Sequence, residues 1–115
     1  MADAKFARMT MQAGFMDKAR LHIRRHFSRK IPPWMRFHDL EHTLSVARTA
    51  LEIGRASGLG PKDLRLLELA ALFHDAGYAS AYKGHEQVSA RTASDYLLRH
   101  GMNKASVAQV SALIL

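Results

Sequence analysis

Apolar residues spaced for one face of a helix dominate this chain, and no stretch alternates as a half-buried strand does. Phe15, Ala19, Ile23 and Phe27 recur every four residues, which predicts a first helix reaching about Ser28. Pro32-Pro33 stops it, because proline lacks the amide hydrogen and restricts the residue before it. A second helix is expected from about Arg36 to Ser57. Glu41, Arg48, Glu52 and Arg55 form its outward stripe, and His42, Val46, Ala50 and Ile53 run along another side. Gly58 ends that helix, and Pro61 opens a third that runs to about His74, with Leu64, Leu67, Ala71 and His74 on one face. A loop with Gly77 and Gly84 leads to a fourth helix over about His85 to His100. It keeps Arg91, Asp95 and Arg99 outside and stops at Gly101. Asn103 is placed to cap a fifth helix carrying Val107, Val110, Leu113 and Ile114. The expectation is an all-α bundle of about five helices, with residues 1–115 forming one domain.

The 115 residues suffice for one core, and at 48% hydrophobic and 23% charged they read as globular. There is no cysteine, which excludes disulfides and thiolate metal ligands, so any metal site must use His, Asp or Glu. No run approaches the roughly 20 apolar residues that span a bilayer. The first residues lack the apolar core of a signal peptide, and a cytoplasmic protein is expected. The net charge of +7 is unevenly placed. Residues 1–37 hold nine Lys/Arg against Asp3 and Asp17, whereas the remaining residues hold eight of each sign. The basic excess therefore lies on the N-terminal helix, residues 1–30, and the short stretch after it. Such a segment attracts phosphates, nucleic acid or an acidic partner, or is simply a solvated face.

Four histidines and one aspartate stand out. His38 and His42 lie four apart on one helix, His74-Asp75 close another, and His85 begins a third. Burying a His-Asp pair costs several kcal/mol unless something satisfies it, roughly as for other buried polar groups. Separated His and Asp brought together by packing are how a bundle builds a metal site in its core. Imidazole and carboxylate without sulfur suit Mn, Fe, Co, Ni, Zn or Mg. Residue by residue, the alternative is a capping or satisfied core group.

Three stretches carry a family resemblance. FHDLEHTLSVA at 37–47, LAALFHDAGY at 69–78 and GHEQVSA at 84–90 resemble the HD-domain superfamily of metal-dependent phosphohydrolases, over about residues 15–115. The resemblance implies an HD-type bundle in which His42, His74 and Asp75 bind a divalent metal. His85 is then the additional ligand of binuclear members, so one or two ions are expected. It also implies hydrolysis of a phosphate monoester or phosphodiester, such as a nucleotide, by water whose pKa the metal lowers to about 7. Asp75 both ligates metal and orients the nucleophile. His38 matches the His that protonates the leaving oxygen in cyclic-nucleotide phosphodiesterases, although Phe37 and Asp39 replace its Tyr and Asn neighbours. Tyr78 stands where many members have a phosphate-binding Lys; Lys83, Lys62 or the N-terminal arginines are the substitutes. Glu86 reads as a partner behind the metal ligands or, preferably, as a first-turn acid favoured by the helix dipole.

The family's last metal ligand, an Asp on a later helix, has no counterpart, because no Asp follows Asp95. With the apolar ending at Leu115, this reads as a C-terminally shortened HD domain. The competing expectation is a catalytically incomplete HD fold that regulates, or that binds nucleic acid or an acidic partner through its basic helix. Nucleic acid is not favoured, because Phe15 and Phe27 look buried. The apolar last helix would allow a homodimer. HDLEH also fits a zinc-peptidase pattern, but Glu41 falls on the outward stripe and His74-Asp75 is left unexplained.

Overall fold

The computed structural model describes residues 14–30, 33–79 and 84–115, with side chains at 14–29, 40–77 and 84–115. Among these, five α-helices and one 3₁₀ turn occur and no strand. They are α1 (Phe15–Lys30), α2 (Pro33–Ala56), α3 (Pro61–Phe73), the 3₁₀ turn Ala76–Ala79, α4 (His85–Arg99) and α5 (Lys104–Ile114). The all-α expectation holds. The second helix begins three residues earlier than its spacing indicated. Pro33 takes the first helical position, where a missing amide hydrogen removes no intrahelical bond.

Phe15, Ala19, Ile23 and Phe27 are buried, so the i+4 stripe of α1 faces the core as read. That core continues through Leu69, Leu72 and Phe73 of α3, Ala93 and Leu97 of α4, and Val107 and Val110 of α5. Burying a large apolar side chain contributes about 1.5–3 kcal/mol, so this cluster is the main source of cohesion. Two expected stripes are shifted. Ile53 is 61% exposed and Leu113 is 55% exposed. The buried face of α2 instead runs through Thr43 and Ala47, flanked by Leu40, Leu44 and Ala50. Buried positions at 43 and 47 place His42 one residue round the helix, at the edge of the seam.

The helix ends follow their sequence signals. Asn103 Oδ1 accepts the Ser106 amide at 2.8 Å, satisfying one free donor of α5. After α4, Gly101 takes φ +92°, a conformation that glycine adopts without steric cost. The Met102 and Gly101 amides then donate to the carbonyls of Leu97 and Leu98. Met102 is buried beside the core, which turns the chain back into α5. No helix among the described residues is long and apolar enough to cross a membrane.

α1 is bound to α3 by a fork. Arg20 Nε donates to Glu68 Oε2 at 2.6 Å, and a terminal nitrogen donates to Oε1 at 2.9 Å. Asp17 receives the other terminal nitrogen at 2.8 Å. One arginine of the basic segment is therefore a structural tie to a buried carboxylate.

Candidate metal centre

Three helices converge on Asp75. α3 ends at Phe73, and His74 and Asp75 lie in the turn that follows it, before the 3₁₀ turn. Asp75 is buried. His42 reaches it from α2, and His85 from the first position of α4. A helix end lets successive side chains leave its face, so His74 and Asp75 both meet His42 of α2, and Asp75 also meets His85 of α4.

The carboxylate is divided between its neighbours. Oδ2 lies 3.1 Å from His74 Nε2 and 3.7 Å from His42 Nε2. Oδ1 lies 3.6 Å from His85 Nε2. His42, His74 and Asp75 offer ligand atoms that all lie within 4.8 Å of one another. Donors about 2.0–2.2 Å from an ion stand roughly 3–3.5 Å apart, so the cluster has the dimensions of a metal site. The donor set, two imidazoles and a carboxylate, suits a borderline divalent ion. His42 is 56% exposed, so the site opens to solvent on that side.

The electrostatics fit as well. His74 Nδ1 donates to the Ala71 carbonyl, which turns Nε2 to the cluster, where it donates to Asp75 when protonated and would offer its lone pair to an ion when not. Burial pulls the His74 pKa down, but the hydrogen bonds to Asp75 and Ala71 and the Asp75 charge outweigh it, and it stands above the ordinary histidine value. Burial likewise pushes the Asp75 carboxyl up, and the hydrogen bond and charges of His74, His42 and His85 hold it below the usual range. A buried carboxylate kept ionised among three imidazoles is a seat for positive charge.

Gly77 fixes the approach of α4, a role the sequence reading did not assign. Its amide donates to Ser89 Oγ at 2.7 Å, and Ser89 is fully buried. A Cβ on Gly77 would stand 2.8 Å from the Ser89 amide nitrogen and closer still to the His85 carbonyl oxygen. Only glycine admits this contact, and the contact delivers His85 to Asp75. The spacing of Gly77 two residues after Asp75 was the available signal. On the other side, His26 Nε2 donates to the Ala76 carbonyl at 2.9 Å, so α1 holds the peptide next to Asp75.

His42, His74, Asp75 and His85 are thus brought together. Glu86 Oε1 lies 3.7 Å from His85 Nδ1, closer than its reading as a simple first-turn acid implied. His38 belongs to α2, but its side chain lies outside the described residues, as does Lys83. Asp95 is exposed on α4 and belongs to the outer stripe.

Comparison with curated proteins and with solved structures returned no match. A family model does match, and it covers α2 from residue 39 together with all of α3 and α4. On residues 39–115, the chain belongs to the HD domain family, with a fold of the metal-dependent phosphohydrolase type.

Proposed function

We propose that this protein is a metal-dependent phosphohydrolase acting on a phosphate monoester or phosphodiester, most naturally a nucleotide. The observation that carries the reading is the buried Asp75 carboxylate with His42 and His74 on one oxygen and His85 on the other. His42, His74 and Asp75 would hold one divalent ion of the Mn, Fe, Co, Ni, Zn or Mg group, and His85 with Asp75 Oδ1 a second. When bound, such an ion supplies an activated water and a counter-charge for the phosphoryl oxygens. The chain's own residues do the rest. Asp75 accepts a hydrogen bond from the attacking water and so aims it. The half-open side at His42 admits the phosphate. His38 is the proton donor to the leaving oxygen, and Lys83 the cation for the phosphate.

Protein purified without chelator should carry near-stoichiometric transition metal by elemental analysis. His74→Ala should lose it, together with hydrolysis of general phosphatase and phosphodiesterase substrates. A second reading, an incomplete HD module without turnover, rests on the exposed position of Asp95, whose carboxylate stays on the outer stripe of α4 and out of the cluster. Metal-free protein that stays inactive after soaking with manganese, iron or zinc would select that reading.

A further inference from the structure

A second cleft lies between α1 and the C-terminal half of α4, and none of the four metal-centre residues lines it. Its volume is about 380 Å³, within the range of small-ligand sites. Lys18, Arg25 and Arg29 line it from α1. Their spacing of seven and four keeps all three on one face of that helix. A row of rings crosses the cleft from His22 of α1 to Tyr96 of α4 and His100 just past its end. His22 and Tyr96 have centroids 4.2 Å apart, and Tyr96 and His100 also 4.2 Å apart. No carboxylate lines the cleft. Among the described residues, none of the three cations has an acidic side chain within ion-pair distance, in contrast to Arg20, which is taken up by Glu68 and Asp17.

A cleft lined by one sign of charge over low-dielectric walls concentrates counter-ions. Arg25 and Arg29 offer planar forks that match phosphate oxygens, and Lys18 adds a point charge. The half-buried His22 reports the same field: burial, and then His26, His100, Arg99 and Arg29, all disfavour its charged form. An inorganic anion would use only part of this volume. The rings of the row lie against one another and Tyr96 is buried, so the face left open for a planar base to stack on is that of the exposed His100 at its end.

We propose that this cleft is a nucleotide-binding site separate from the metal centre, with the phosphate chain held by Lys18, Arg25 and Arg29 and the base on the exposed His100 ring, which Tyr96 and His22 back. It requires no metal, so it stands whether or not the HD centre hydrolyses phosphate esters.

The test is calorimetric titration of the full chain in excess chelator with ADP and, separately, with inorganic pyrophosphate. Arg25→Gln/Arg29→Gln should weaken both at least tenfold. Arg55→Gln/Arg91→Gln removes the same charge from exposed positions elsewhere and should leave both unchanged. His100→Ala should weaken ADP and spare pyrophosphate. Circular dichroism of each variant confirms that it is folded. No binding at millimolar ligand, or equal losses in the two double variants, overturns the site. Pyrophosphate binding as tightly as ADP, with His100→Ala silent, overturns the nucleotide assignment. So does a twelve-residue oligothymidylate that outcompetes ADP with a steep salt dependence, which would make the cleft part of a nucleic-acid surface.

Discussion

The Gly77 amide donates to the buried Ser89 hydroxyl at 2.7 Å, and this one bond fixes how α4 sits on the turn that carries Asp75. Gly77→Ala would force a methyl against the Ser89 and His85 backbone, which cannot rotate away. Overpacking of this kind costs about 1–3 kcal/mol. The variant should melt lower and bind less metal, because His85 is pushed from Asp75. Thermal unfolding and metal analysis on the same sample check both, and an unchanged metal content would remove Gly77 from the positioning role.

Arg20→Ala should destabilise through Glu68. Removing one partner of a buried pair costs about 3–5 kcal/mol, because the remaining charge is left uncompensated. Arg20 is 39% exposed, so solvent screens part of the loss, and about 2 kcal/mol is expected. Arg20→Met/Glu68→Leu should recover most of it. Urea midpoints for the three chains decide; a double variant weaker than Arg20→Ala would contradict the account.

Thr43→Val should be neutral or stabilising by up to about 1 kcal/mol. Thr43 is fully buried in α2, and its hydroxyl has no hydrogen-bond partner among the described residues. Valine keeps the shape and removes the desolvated oxygen. A clear loss of stability would show that the hydroxyl is satisfied after all.

The metal should stabilise more at pH 8 than at pH 6. In the metal-free protein, the raised His74 pKa gives stability that is full below about 6.5, the unfolded value, and fades as pH rises through the folded one. The lowered Asp75 pKa gives stability present above about 3.9 and lost as pH falls through its folded value. Metal needs His74 neutral, so protons compete with it most at the acid end. The difference in Tm between manganese and chelator, measured at both values, should grow with pH. Equal differences would exclude His74 as a ligand.

Much of this site was legible before any coordinates. His42, His74, Asp75 and His85 fall on three predicted helices at positions that packing can bring together, and a carboxylate beside an imidazole at the end of an apolar run demands a partner. The stripe on α2 was misjudged because Ile53 is apolar yet exposed, and apolarity alone does not say which face meets α3. The role of Gly77 depends on a distance to Ser89, and no single-residue preference encodes that. The ring row of His22, Tyr96 and His100 joins residues more than 70 positions apart, so the basic surplus of the N-terminal segment was visible but its cleft was not.

The family match begins at residue 39, yet the fold does not. Phe15, Ala19, Ile23 and Phe27 fill the core from outside that boundary, and His26 holds the carbonyl next to Asp75. A protein trimmed to the matched residues would keep every candidate metal ligand and lose the wall behind them. The stretch that the family model recognises and the stretch that builds the core are therefore different lengths of this chain, and α1 lies in the difference.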